Sequence, residues 1–184
     1  KDEIFEEKSY YLAIGRLTRQ KNFLFLCECF KEILKIYPDE KLLIAGEGED
    51  KSKLENFIKK NELEKNIFLI GYKKEILKYL YNSKGFILSS LWEDPGFVLI
   101  EAAMTRTFIM SSDCSNGPRE IIKDGHNGIL FENGNKEIFL KKFEIFKRLD
   151  KKKDKNILLN NLLNVKDFTI SNHFKILNRI LKGN

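Results

Sequence analysis

Short apolar runs alternate with stretches of helical period along most of this chain. Residues 10–14, 41–45, 67–70, 85–88, 107–110 and 128–131 are mostly apolar, four or five residues long, and end in polar or Gly-containing segments. They read as buried strands. Between the first two, Phe23, Leu26, Cys27, Phe30, Ile33 and Leu34 recur at the helical period, which predicts a helix over 22–37 that Pro38 stops. Leu54, Phe57 and Ile58 mark a second helix over 50–61, and shorter helices are expected over 75–81, 97–104 and 119–122. Strands without polar alternation, each followed by a helix, predict an α/β fold with a parallel sheet covered on both faces.

The fourth strand leads into the most informative stretch. After Gly85-Phe86-Ile87-Leu88 come Ser89 and Ser90, a turn at Asp94-Pro95-Gly96, and the good helix formers Leu99, Glu101, Ala102, Ala103 and Met104. This order puts a helix N-terminus at the carboxyl end of a strand, where open α/β sheets bind ligands. The N–H groups of Gly96, Phe97 and Val98 are expected to lack helical partners and to suit an anion or a sugar hydroxyl. Glu93 and Glu101 flank the turn with seven residues between them. Paired carboxylate oxygens accept hydrogen bonds from vicinal hydroxyls of a sugar or ribose. The plainer alternative is that Glu93 only favours the helix terminus and Glu101 is an exposed helical residue.

At 184 residues, with 42% hydrophobic and 33% charged positions, the chain suits one well-formed core, or one domain plus a terminal appendage. No apolar run has the length of a membrane span and no secretory pattern opens the chain. It begins at Lys1 rather than Met, so a piece of a longer protein is expected. Three cysteines, Cys27, Cys29 and Cys114, have no metal-ligand spacing and read as reduced thiols of a cytoplasmic protein, the first two filling a core. Charge is unevenly placed: residues 1–135 carry 20 Lys and Arg against 22 Asp and Glu, whereas residues 136–184 carry 13 against 5. That basic tail reads as a solvated helix face or as attraction to an anionic membrane surface. Nucleic acid is not expected, because the run lacks interleaved aromatics.

Topology brings the loops at the strand carboxyl ends together. The first carries Arg16 and Lys21, the second Gly46 and Gly48, the fourth Glu93 and Glu101, and the fifth Gly117 and Glu120. Cations, glycine loops and a helix N-terminus suit a diphosphate, and the carboxylates suit sugar hydroxyls, so the set describes a nucleotide-sugar site. The first loop is no Walker loop, because no Gly-Lys-Ser/Thr follows Gly15, and its single glycine excludes a dinucleotide fingerprint.

Gly15-Arg16-Leu17 with Lys21, Ile44-Ala45-Gly46-Glu47-Gly48, Glu93 and Glu101-Ala102, then Glu120-Ile121-Ile122 with Gly125 and Gly128 follow one another over residues 10–131. In that order they resemble the carboxy-terminal half of retaining glycosyltransferases, specifically family 4 of the GT-B fold. The resemblance implies a Rossmann-like donor domain that needs no metal and no cofactor beyond its nucleotide-sugar substrate. It implies that Arg16 and Lys21 bind the donor diphosphate near Gly15 and Gly46, and that Glu93 with the amides of Gly96, Phe97 and Val98 holds the donor sugar. Glu101 would bind the ribose, and the segment Gly71-Tyr72-Lys73 would meet the base, UDP being favoured over GDP. The acceptor, a glycan or lipid-linked molecule, would be bound with a missing amino-terminal domain. Retention by same-face attack requires no covalent nucleophile.

The chain departs from the family pattern in having Arg106 and Phe108 where Gly and Pro are common, which alters a turn rather than the chemistry. Ser112-Asp113-Cys114-Ser115-Asn116-Gly117-Pro118-Arg119-Glu120 looks more like members that assemble bacterial surface polysaccharides, several of which use UDP-linked N-acetylhexosamines. The only histidines, His126 and His173, receive no catalytic role. The expected organisation is a nucleotide-sugar-binding domain over 1–150 and a helical extension over 151–184. The protein is expected in the cytoplasm, with peripheral contact with the inner face of the membrane through its basic tail. A nucleotide-sugar epimerase and a non-catalytic nucleotide-binding module of the same fold are the alternatives.

Overall fold

Strands buried on both sides must be apolar at nearly every position, and the first two show how the sequence meets that demand. In the computed structural model, which describes residues 8–94, 96–152 and 155–165, β1 (Tyr11–Ile14) and β2 (Leu42–Ala45) alternate their side chains between two cores. Tyr11, Ala13, Leu42 and Ile44 join one cluster, and Leu12, Leu43 and Ala45 join the other. The remaining strands are β3 (Ile67–Gly71), β4 (Gly85–Leu88), β5 (Ile109–Ser112) and β6 (Ile129–Phe131). All pair in parallel, in the order β3-β2-β1-β4-β5-β6.

Helices α1 (Phe23–Ile36), α2 (Lys51–Lys60) and α6 (Lys136–Lys152) cover the first face. Their apolar stripes meet it through Phe30, Leu54, Phe139, Phe143 and Phe146. Helices α3 (Ile76–Asn82), α4 (Phe97–Met104) and α5 (Pro118–Ile121) cover the second, and α7 (Lys155–Val165) reaches both, Ile157 joining the first core and Val165 the second. A one-turn 3-10 helix, Arg19–Lys21, precedes α1. Cys27 and Cys29 are fully buried in the first core, where burial pushes both thiols up to about 12.

Within the described residues the predicted elements are present, with one instructive displacement. The fifth strand, expected over 107–110, runs instead from Ile109 to Ser112. Thr107 belongs to the end of α4: its N–H donates to the Ala102 carbonyl (3.0 Å) and its hydroxyl to the Leu80 carbonyl (2.8 Å). Ser111 and Ser112 continue the strand, paired with Leu130 and Phe131, because their buried hydroxyls reach main-chain carbonyls. Hydropathy alone does not see a strand residue whose polar atom is internally satisfied.

Helix α6 runs through Lys152, past the expected domain boundary at residue 150. Within the expected helical extension, α7 rests on the second core through Val165, while Asn161 Nδ2 donates to the Thr107 carbonyl (3.3 Å). His126 lies in the turn after α5, where its carbonyl accepts from Asn160. The part of that extension beyond Val165, with His173, falls outside the described residues, as does Pro95.

Candidate functional site

Strands β1 and β4 are sheet neighbours although two strands separate them in sequence. The chain therefore leaves β1 toward one edge of the sheet and returns to build the other. This reversal opens a crevice at the carboxyl ends of the two strands.

One wall of the crevice is nearly all backbone. The Gly15 N–H donates to the Ala45 carbonyl (3.0 Å) and the Gly46 N–H to the Gly71 carbonyl (2.9 Å), lacing the ends of β1, β2 and β3 together. A shift in β2–β3 register, which pairs Ala45 with Gly71, makes the second bond possible. Beside these turns lies a cleft of about 540 Å³, bounded by Gly15, Arg16, Gly46, Glu47, Tyr72 and Glu101, among others. Arg16 and Tyr72 are exposed at its mouth. Glu101 enters from α4, and burial raises its carboxyl above the usual range.

The other wall is held by polar contacts. Lys21 Nζ lies 2.5 Å from Glu93 Oε1, and their side chains are 14% and 4% exposed. Ser90 Oγ donates to the same carboxylate oxygen at 2.5 Å. Ser89 Oγ donates to the Lys21 carbonyl (2.8 Å), the Leu91 N–H to the Gln20 carbonyl (2.8 Å), and Gln20 Nε2 to the Trp92 carbonyl (3.0 Å). The loop after β1 is thus fastened to the loop after β4 along residues 89–93. The second loop is tied in turn to the one after β5, where the Glu93 N–H donates to the Ser115 carbonyl (3.1 Å). Cys114 sits beside this cluster, and burial raises its thiol.

Gly96, in the left-handed region at φ 77°, turns the chain into α4, whose first turn carries no side-chain cap. Its N-terminal N–H groups and the partial positive charge of the helix face the carboxyl side of the sheet. Phe97 is 68% exposed there and Trp92 is 45% exposed nearby.

The positions singled out from sequence fall into two groups. Gly15, Arg16, Gly46, Tyr72 and Glu101 border the cleft, while Gly71, the last residue of β3, is not among its lining residues. Lys21, Glu93, Gly96, Phe97 and Val98 lie at the β4 side, and Glu93 faces Lys21 and Ser90 rather than lining the cleft with Glu101. Glu93 is 3% exposed and doubly hydrogen-bonded. Sequence reasoning gave no role to Ser89, Ser90 or Gln20. A signal for the serines was available in two consecutive polar residues at the end of a fully apolar strand, which a buried site must satisfy. Among the described residues no group of three or more His, Cys, Asp or Glu could hold a metal ion.

Residues 1–160 match the family model described as glycosyl transferases group 1. The amylovoran biosynthesis glycosyltransferase AmsD of Erwinia amylovora is 40% identical over 140 residues, which are 75% of this chain and 38% of AmsD. A crystal structure of a Staphylococcus aureus TarM variant with fondaparinux, alpha-GlcNAc-glycerol and UDP superposes with a TM-score of 0.85 at 27% identity, covering 98% of this chain and 36% of TarM. The C-terminal domain of LpcC, a glycosyl transferase group 1 family protein from Francisella tularensis, superposes with a TM-score of 0.77 at 26% identity, over 90% of this chain and 89% of that domain. This chain spans between 29% and 39% of the length of the curated relatives it matches first.

Proposed function

The chain belongs to the glycosyl transferases group 1 family, and from that premise we propose that it forms the donor-binding half of a retaining glycosyltransferase. Its donor is a nucleotide-linked hexose or N-acetylhexosamine, UDP-linked in preference to GDP-linked. The acceptor is a glycan or lipid-linked molecule of bacterial surface polysaccharide or glycoconjugate synthesis, bound with a second domain. The part AmsD takes in amylovoran biosynthesis and the UDP bound in the TarM complex support this choice.

The observation that carries the reading is one topological switch point with Arg16 and Glu101 on the cleft at one wall and the Lys21–Glu93 pair beside the α4 N-terminus at the other. Glycosyl transfer breaks the bond from the anomeric carbon to a departing nucleoside diphosphate. Negative charge grows on the diphosphate while the sugar becomes oxocarbenium-like. Arg16, Lys21 and the first N–H groups of α4 stabilise that charge as it forms, and removing one such donor costs about 3 kcal/mol of barrier. Glu101, its carboxyl raised by burial, gains hydrogen-bond donors when ribose hydroxyls reach it. Tyr72 and Gly71 border the place of the base, and Glu93 that of the sugar. No metal or other cofactor enters this scheme.

The protein works in the cytoplasm at the inner membrane face, where α6 presents exposed Lys141 and Arg148 toward anionic lipid. No helix among the described residues is long and apolar enough to cross a membrane.

Calorimetric titration of the intact protein with UDP, GDP and ADP, repeated with Arg16→Ala, tests the donor site. Selective binding of UDP that Arg16→Ala abolishes is expected. Binding of none of them, or binding indifferent to Arg16→Ala, removes the proposal.

A further inference from the structure

The two side chains that a donor's diphosphate and sugar need, Lys21 and Glu93, are engaged with each other. Their Nζ and Oε1 atoms are 2.5 Å apart, and both groups are nearly buried. Ser90 donates to the same oxygen, and the Ser90 carbonyl accepts from Ser112 Oγ at 2.7 Å, so Glu93 is braced from beneath. Ser89 grips the main chain of Lys21 at 2.8 Å, which fixes the lysine at its other end. This is a built contact between the loop after β1 and the loop after β4, not a surface pair free to rearrange at no cost.

An ammonium that already holds a carboxylate offers little net charge to a second anion. A phosphate that draws Lys21 away from Glu93 leaves a buried carboxylate short of its cation, which is strongly unfavourable unless other donors reach it. Sugar hydroxyls are such donors. A bare nucleoside diphosphate brings no hydroxyl to this side of the site.

Resting on the donor-site reading above, we propose that the Lys21–Glu93 pair discriminates a sugar-loaded nucleotide from the spent nucleoside diphosphate. The hydroxyls of the donor sugar satisfy Glu93 and release Lys21 to the diphosphate. Once the sugar has left, Glu93 reclaims Lys21 and the hold on the leaving nucleotide weakens. Glu93 is thereby a specificity residue that favours product release.

The test compares nucleoside diphosphate binding by the intact protein, Glu93→Gln and the double variant Lys21→Met/Glu93→Gln, using UDP, GDP and ADP as probes. Glu93→Gln keeps the shape of the side chain and frees the lysine. It is expected to bind the preferred diphosphate roughly tenfold more tightly, the order of one coupled charge pair. The double variant is expected to lose that gain. Should Glu93→Gln fail to fold, Glu93→Asp withdraws the carboxylate by one methylene and is expected to tighten binding about threefold on the same grounds. Equal or weaker binding by these variants, with wild-type binding still abolished by Arg16→Ala, overturns this inference alone. Absence of diphosphate binding by wild type and variants alike overturns it together with the donor-site reading.

Discussion

The carbonyl oxygen of Gly15 stands 1.9 Å from the place a Cβ on residue 46 would occupy. The obstacle is backbone on the neighbouring strand end, so no side-chain rotation relieves it. Gly46 also has φ +141°, a value side-chain-bearing residues rarely adopt. Gly46→Ala is therefore expected to destabilise the fold by about 2 kcal/mol or more, and to weaken nucleotide binding by moving the Gly15–Arg16 turn. Gly134→Ala is the control. Its φ is +73° with nothing within 4 Å of the added carbon, so it bears only the conformational cost of about 1 kcal/mol and leaves binding unchanged. Urea denaturation and nucleotide titration of the two variants separate crowding from strain.

Arg106 occupies a position that calls for glycine. Its φ is 54°, its N–H donates to the Ala103 carbonyl (3.1 Å), and the next N–H, of Thr107, donates to Ala102 (3.0 Å). This is a Schellman ending of α4 with a left-handed arginine. Arg106→Gly removes the left-handed penalty and adds unfolded-chain entropy, for an expected net gain of about 0.5–1 kcal/mol. The melting temperature should rise by about 2 °C, with diphosphate binding unaltered. A lower melting temperature would show that the arginine side chain supplies more than its backbone costs.

The order of strands and helices was legible because each strand is apolar on both faces and each helix carries one apolar stripe. The site was legible as a set of loops, since Arg16 and Gly46 follow strand ends and Glu101 lies one turn inside a helix that the parallel topology must gather beside them. What could not be read was pairing. Nothing in the spacing of Lys21 and Glu93 indicates that they bind each other, because that contact depends on β4 lying beside β1 rather than beside β3. The fifth strand was displaced for a related reason. Ser111 and Ser112 look like loop residues until Ser90 and the strand carbonyls that satisfy them are in place.

Glu40 is buried at the amino end of the sheet, where Lys84 and Lys147 both donate to its carboxylate. Burial alone would raise its carboxyl. The hydrogen bonds from Lys147 and Lys84 outweigh burial and hold it below the ordinary value of 4.5. A depressed carboxyl contributes stability that is present above its unfolded value and lost as pH falls through its folded one. Stability should therefore decline on acidification below about 4.5. Glu40→Gln leaves two lysines without their carboxylate, and should cost about 3 kcal/mol at neutral pH while flattening that acid limb. Denaturant midpoints measured at neutral and acid pH for both proteins decide it. An unchanged acid limb in the variant would assign the decline to other carboxylates.

Helix α6 exposes Lys141 and Arg148 on one side, within the segment whose 13 basic residues face only 5 acidic ones. If that charge holds the protein at a membrane, sedimentation with liposomes should require anionic lipid. It should fade as salt rises, because the attraction acts over about one Debye length. Equal binding to neutral liposomes would sink the membrane contact and leave the basic face as a solvated one.

Glu101 sets stability against binding. Burial on α4 raises its carboxyl, so its ionised form is disfavoured in the folded protein relative to the unfolded chain. An acid with a raised folded value destabilises at neutral pH, and that penalty disappears as pH falls through it. Glu101→Gln removes the charge and keeps the shape. At neutral pH the variant should be at least as stable as the natural protein, and the difference should shrink on acidification as the natural carboxyl becomes protonated. The same variant should bind UDP more weakly, because one amide oxygen replaces two carboxylate acceptors for vicinal hydroxyls. Binding of UDP and 2′,3′-dideoxy-UDP should then differ in the natural protein and converge in Glu101→Gln. A natural protein that does not distinguish the two nucleotides would remove Glu101 from the ribose site whatever its effect on stability.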